Sequence, residues 1–207
     1  MDRNGGRRRR EPASEPPVLR DRIGHRTAAR TRRLITFLLG LWCGGLLLVA
    51  IVAPTSFSAA ETVMRIPPPA LEKVLEAVGP AAAREVLRYQ VGEVNRLVFG
   101  VWGWLQLAAS AAVLLLLVFL SNAGKAAVGV AGAMVALAAL MNFFLIPRIA
   151  LMTRMAALTA EARARADAGM FAVLHGGFAL LQVVLLALMG VLLFLLFRSR
   201  TGSRNGR

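Results

Sequence analysis

Residues 170–197, MFAVLHGGFALLQVVLLALMGVLLFLLF, decide the fold, because they form a long run without a charged side chain. A helix needs about 20 apolar residues to cross the roughly 30 Å of hydrocarbon in a bilayer, and this run is long enough. Residues 34–53, 97–120 and 126–146 are also uncharged. We therefore predict an all-α fold, an integral membrane four-helix bundle whose spans are these four runs.

The composition favours a membrane protein over a soluble one. The chain of 207 residues is 57% hydrophobic with a mean hydropathy of +0.62, yet its formal net charge is +14. Soluble domains rarely combine these values, whereas apolar spans with basic flanks produce both. The first run also resembles a signal peptide, but it is longer than the usual hydrophobic region of about 7 to 15 residues. We expect it to remain as a span.

Lysine and arginine residues orient the spans. The N-terminal segment, the second loop and the C-terminal segment carry sixteen basic residues, and the two other loops carry nine. Because basic residues concentrate on the cytoplasmic side, both termini are predicted to be cytoplasmic. Arginine outnumbers lysine 23 to 2. This bias is typical of GC-rich bacterial genomes, so we place the chain in the bacterial cytoplasmic (inner) membrane.

The two terminal segments are basic. Residues 1–33 are predicted to form a disordered, Arg-rich cytoplasmic tail that lies on anionic lipid headgroups. Residues 198–207 form a second, short cytoplasmic tail. No nucleic-acid partner is expected, because the segment 1–33 contains no aromatic residue that could stack on bases.

The loop between the first two spans, residues 54–96, is predicted to be helical and amphipathic. Its apolar residues at helical spacing are Leu71, Val74, Leu75 and Val78, just before Gly79 and Pro80. A second helix is predicted to run from Ala81 into the second span.

Small residues predict where helices approach closely. Gly40 and Gly44 form a GxxxG step, and the third span is rich in glycine and alanine. Such positions mark helix contacts in membranes, either within one chain or between the subunits of a homo-oligomer.

Polar residues within the apolar runs form the candidate site. The candidate polar patch comprises Asn142, Pro147, Arg148, His175, Gln182 and Gln106. Helix rise places the two glutamines at similar depth near the midplane, and we predict that they meet or share a partner. Asn142 and His175 lie at equal depth nearer the outer face, and we predict that they face each other. This pair could be a structural clamp or part of a ligand-binding pocket. Pro147 is expected to end or kink the third span.

Two motifs resemble a known family. Asn142, Pro147 and Arg148 close the third span, and Phe171, Leu174 and His175 open the fourth. With the order of spans over residues 34–197, they resemble the bacterial membrane family called domain of unknown function 4149, related to eukaryotic transmembrane protein 205. Phe178 and Gln182 stand where that family often has serine and asparagine. The resemblance implies a four-span fold and no particular activity.

The sequence favours a protein that is not an enzyme. The spans contain no pair of carboxylates, no Ser-His-Asp set and no phosphate-binding glycine loop, so no catalytic residue is proposed. The first hypothesis is a protein that handles a small solute or ion, or an accessory membrane subunit, without cofactor or metal. The alternative is a haem- or metal-linked redox protein that uses His175 as a ligand.

The predicted orientation can be tested with reporter fusions. Alkaline phosphatase fused to either terminus is expected to be inactive in cells, because it requires export, and green fluorescent protein at the same positions is expected to fluoresce. An active phosphatase at either terminus would contradict the predicted topology.

Overall fold

The structure is a computed structural model that describes residues 24–158 and 168–201, and all secondary structure in them is helical. The elements are α1 His25–Arg65, α2 Pro69–Val78, α3 Pro80–Leu120, α4 Lys125–Leu140, a π-helical turn Met141–Leu145, α5 Ile146–Leu158 and α6 Ala168–Thr201. The predicted all-α fold class is confirmed.

Four of the described helical segments are long and apolar enough to cross a membrane. They cover Arg26–Arg65, Pro80–Leu120, Lys125–Arg154 and Ala172–Arg198, and each overlaps one predicted uncharged run. The third segment consists of α4, the π-helical turn and most of α5. Around the bundle, α1 packs along α3, α3 along α4 and α4 along α6, and α6 closes against α1.

The outer surface of the bundle is apolar. Large hydrophobic side chains point away from it, including Phe37, Leu41, Phe119 and Val173, which are between 64% and 70% exposed. A bilayer covers such a surface without the cost that water would impose, while the helices satisfy their own backbone hydrogen bonds.

The first helix is longer than its predicted span at both ends. It begins at His25 rather than after residue 33, so residues 25–33 are helical instead of disordered, with Ala28 and Thr31 buried. It also continues past residue 53 and through Pro54 to Arg65. Residues 1–23, where the rest of the predicted tail lies, are outside the described residues, and so are residues 202–207.

The loop between the first two spans is helical, as the amphipathic pattern predicts. Gly79 separates α2 from α3 with a φ of +85°, a conformation that glycine adopts without a steric penalty. The last turns of α1 and the first turns of α3 are joined by Glu61, which accepts hydrogen bonds from Arg88 at 2.7 and 3.0 Å. We call this end of the bundle, where α1 ends and α3 begins, the hairpin end.

The opposite half of the bundle has an apolar interior, which we call the apolar core. Its buried side chains come from all four spans and include Ile35, Leu39, Val113, Leu117, Ala131, Met134, Leu185 and Leu192. Their packing leaves this half of the interior without buried polar side chains other than Thr31 and Ser110 among the described residues.

Gly45 and Gly103, neither of them in the GxxxG step, allow the closest helix contacts. Gly40 and Gly44 face outward, and a Cβ atom at either would meet nothing within 4 Å. A Cβ at Gly45 would lie 2.5 Å from the indole ring of Trp102 on α3. The GxxxG step is therefore free for contacts outside this chain, while Gly45 sets the distance between α1 and α3.

Alanine substitutions at the adjacent Gly44 and Gly45 should have different effects on stability. Gly45→Ala is expected to destabilise the protein by about 1–3 kcal/mol, because the new methyl group overlaps the Trp102 ring. Gly44→Ala is expected to be neutral or stabilising by up to about 1 kcal/mol, because alanine favours the helix and nothing obstructs it. Thermal unfolding in detergent measures both, and equal shifts for the two variants would contradict the packing described here.

Candidate functional site

A widened helical turn precedes Pro147 in the third membrane segment. Proline has no N–H, and its ring collides with the carbonyl group four residues earlier in a regular α-helix. Here the N–H of Ile146 donates to the carbonyl oxygen of Met141, five residues back, which is the π-helical spacing. The helix therefore continues through α5, so Pro147 does not end it, and a π-helical turn marks the position where the sequence predicts an end or a kink.

The π-helical turn directs Asn142 toward α3. Asn142 is buried, and its amide oxygen occupies the space that a Cβ atom at Gly103 would need. The side chain of Ile146 is also close, since its Cδ1 would lie 2.7 Å from that Cβ. His175 is exposed on α6 and lines a cavity whose lining does not include Asn142. The facing of Asn142 and His175 stays a prediction, and the neighbour that the structure shows for the Asn142 amide oxygen is Gly103.

Both candidate glutamines are buried inside the bundle. Gln106 is 1% exposed and Gln182 is 9% exposed. The Gln106 amide nitrogen donates to the Met141 sulfur at 3.7 Å. The Oε1 atoms of both glutamines are buried and accept no hydrogen bond in the described part of the chain. No hydrogen bond connects the two side chains, so each retains an unpaired acceptor.

Asn142 and the two glutamines occupy neighbouring levels of the interior. Phe99 on α3 contacts Phe178 on α6, with ring centroids 5.7 Å apart. Helices α3 and α6 both run away from the hairpin end. Gly103 lies four residues after Phe99, and Gln182 lies four residues after Phe178, so they lie at a common level along the bundle axis. Asn142 contacts Gly103, and Gln106 lies one turn deeper. We call Gln106, Asn142 and Gln182 the amide layer.

Unpaired donors accompany the unpaired acceptors. The indole nitrogens of Trp42 and Trp102 are buried without a hydrogen-bond partner among the described residues. Gly45 on α1 contacts Trp102 on the antiparallel α3, so Trp42, three residues earlier, lies near the level of Gln106. This part of the interior therefore offers both kinds of hydrogen-bonding group to a small polar molecule.

A small cavity lies between α3, α5 and α6, closer to the hairpin end than the amide layer. Its volume is about 40 Å³, and its lining residues are Arg96, Phe99, Ile146, Ile149, Ala150, His175 and Phe178. The perpendicular rings of Phe99 and Phe178 meet on the side of the amide layer. The cavity and the amide layer are therefore separate environments, one mostly apolar and one polar.

A charged cluster borders this cavity. The Arg96 side chain is 12% exposed, forms an ion pair with Glu93 and donates from Nη1 to the Thr153 hydroxyl at 3.1 Å. Arg154 donates to the other Glu93 oxygen at 3.3 Å. Glu93 lies outside the uncharged run that begins at Leu97. Two guanidinium groups therefore share one carboxylate. Their hydrogen bonds, that from Arg96 first, lower the pKa of Glu93 to about 2.

Two residues of this region were not predicted from the sequence as site residues. Asn95 is buried and donates to the Ser56 hydroxyl at 2.9 Å, which joins α3 to α1. Arg96 is the last residue of the loop 54–96. Asn95 and Arg96 are adjacent and directly precede the uncharged run 97–120. This position could have identified both, since polar groups at the edge of a membrane span need partners.

The remaining candidates lie outside the amide layer. Pro147 and Arg148 are exposed, and Arg148 makes no hydrogen bond or ion pair with another described residue. His175 lines the cavity instead of the amide layer. The described residues contain no group of three or more His, Cys, Asp or Glu side chains that could hold a metal ion.

Comparisons of this chain with protein families, curated proteins and solved structures found no match. The resemblance to domain of unknown function 4149 therefore stays an expectation from the sequence.

A double-mutant cycle can test the contact between Asn142 and Gly103. Gly103→Ala is expected to destabilise the protein by about 1–3 kcal/mol through overlap with the amide oxygen. In an Asn142→Ala background the same change should cost at least about 0.5 kcal/mol less, because one overlapping group has been removed.

The control cycle combines Asn142→Ala with His175→Leu, measured by the same thermal unfolding in detergent. These changes should be additive, because Asn142 packs against Gly103 of α3 whereas His175 is exposed on α6. Coupling to His175 without coupling to Gly103 would support the original facing pair instead.

Proposed function

We propose that this chain is a non-enzymatic, multi-pass protein of the bacterial cytoplasmic membrane that handles a small, uncharged polar solute at the amide layer. The observation that carries the proposal is the pair of buried glutamine oxygens, in Gln106 and Gln182, that accept no hydrogen bond from the described residues. Both termini are proposed to be cytoplasmic, from the distribution of basic residues.

The energetic cost of these oxygens supports a bound polar molecule. A buried acceptor without a donor costs about 1–3 kcal/mol, and a bilayer supplies no water from outside to relieve it. Buried polar groups without protein partners are commonly satisfied by water or ligand. The amide layer therefore favours an occupant that donates hydrogen bonds to its oxygens.

The chemistry of the layer favours a neutral occupant. Its side chains are amides, and the nearby unpaired groups of Trp42 and Trp102 are donors. A molecule with both donors and acceptors, such as water, ammonia or urea, matches this set. A full charge at this depth would need a compensating charge, and Gln106, Asn142 and Gln182 provide none.

The apolar core supports binding followed by a conformational change rather than a permanently open path. Beyond the amide layer, away from the hairpin end, Val113, Met134 and Leu185 are fully buried. A polar solute would lose its hydrogen bonds among these side chains. Passage across the bundle therefore requires the helices to separate in this half.

The haem alternative has less support than the solute proposal. Cofactor and ligand pockets usually have volumes of about 300–1,000 Å³. The cavity beside His175 has about 40 Å³. A purified sample from haem-supplemented cells is expected to lack a Soret band, and a band that disappears in His175→Leu would favour the alternative.

The solute proposal is tested by flux into proteoliposomes. Wild-type protein should accelerate the entry of water, ammonia or urea over empty vesicles in stopped-flow light scattering or pH-dye measurements. Gln106→Leu and Gln182→Leu should each reduce the protein-dependent rate about tenfold, because one hydrogen bond of roughly 1.4 kcal/mol is lost.

Gln90→Leu is the matched control, because it makes the same chemical change at a residue that is exposed near the hairpin end of α3. It should retain the wild-type rate. Equal rates for wild-type and empty vesicles with all three solutes would contradict solute handling, and unchanged rates in both interior variants would contradict the role of the amide layer.

A further inference from the structure

We propose that the cavity between α3, α5 and α6 binds an anionic phospholipid, with its phosphate at Arg96 and Arg154 and the adjacent part of one acyl chain in the cavity. This inference is independent of the solute proposal, because it rests on the charged cluster and the apolar cavity rather than on the amide layer.

The lining of the cavity matches an alkyl chain. Five of the seven lining residues are apolar, namely Phe99, Ile146, Ile149, Ala150 and Phe178. A polar molecule would lose hydrogen bonds against them, whereas methylene groups gain by leaving water and by dispersion contacts. A water molecule needs about 10–15 Å³ of such volume. The 40 Å³ available therefore accommodate about three groups of methylene size.

The charges beside the cavity match a phosphate. Arg96 and Arg154 share the single carboxylate of Glu93, which leaves an excess positive charge in this cluster. The Nε atom of Arg96 is buried and has no hydrogen-bond partner among the described residues. Guanidinium groups bind phosphate oxygens through directed, charge-assisted hydrogen bonds. A phosphate at the rim would balance the excess positive charge of Arg96 and Arg154.

The position of the cluster matches the headgroup region. Arg96 directly precedes the uncharged run 97–120, and its partner Thr153 lies one turn beyond Ile149 of the cavity lining. Charged groups are therefore at the edge of the apolar surface, and apolar lining continues from them toward the membrane interior. This order reproduces that of a phospholipid, whose phosphate is followed by its acyl chains.

Native mass spectrometry of the full chain can test lipid binding. Protein purified in detergent is incubated separately with palmitoyl-oleoyl phosphatidylglycerol, with the zwitterionic phosphatidylcholine of the same chains, and with palmitate. We expect one phosphatidylglycerol molecule to be retained, and about tenfold weaker retention of phosphatidylcholine, because the net charge of the lipid is lost.

Two variants test the two halves of the site. Arg96→Gln removes the charge and should reduce phosphatidylglycerol retention about tenfold. Ala150→Phe fills the cavity without touching a charge and should reduce retention by a similar factor. The matched controls are Arg148→Gln and Leu151→Phe, at exposed neighbouring positions, and both should bind as the wild type does.

Thermal unfolding of each variant identifies loss of folding, and Ala150→Phe keeps the test decisive if Arg96→Gln does not fold. Equal retention of both phospholipids would overturn the proposal, as would retention of palmitate in preference to phosphatidylglycerol. Unchanged binding by a folded Ala150→Phe variant would also overturn it. Failure of lipid binding leaves the flux measurements unaffected, so the two proposals fail separately.

Discussion

The constraint on which this structure depends is that backbone N–H and C=O groups in hydrocarbon must be satisfied within the chain. Pro54 and Pro147 interrupt the backbone hydrogen bonding of their helices, because proline has no N–H. At Pro54 the helix continues, and neighbouring hydroxyl groups bond backbone carbonyls, as Thr55 does to Ile51 at 2.8 Å. At Pro147 the helix widens into a π-helical turn and continues. Because that turn changes which side chains face inward, the position of Asn142 in the amide layer is a consequence of how the backbone accommodates one proline.

Helix α3 organises the interior because neighbouring residues on it contact different partners. Trp102 lies against Gly45 of α1, and Gly103 lies against Asn142 of the π-helical turn. Phe99, one turn earlier, contacts Phe178 of α6. These contacts fix the relative heights of the four spans. A shift of α3 by one residue would therefore disturb the spacing of α1, the contact of Asn142 and the boundary between cavity and amide layer together.

Much of the fold was predictable from the sequence, because long uncharged runs have few other stable arrangements. The buried positions of Gln106, Asn142 and Gln182 were also identifiable, since polar residues are rare in such runs. Their partners were not. Equal depth does not determine the direction of a side chain, and the extra residue of the π-helical turn shifts the helical face by about 100°. The contact between Arg96 and Thr153 joins residues 57 positions apart, which no local pattern reveals.

Along the bundle axis, the polar groups of the interior change from charged at the hairpin end to neutral in the amide layer. Ionised groups such as Arg96 and Glu93 remain at the hairpin end, and only neutral amides occur in the layer beyond the Phe99 and Phe178 rings. This order follows from desolvation, because the cost of burying a full charge exceeds that of burying an amide. It also separates the two proposed ligands. The charge partners proposed for the lipid, Arg96 and Arg154, lie at the hairpin end, and the apolar rings divide the lipid chain from the amide layer. A neutral solute in the layer would therefore meet hydrogen-bonding groups without competition from a headgroup, and the two proposed sites do not overlap.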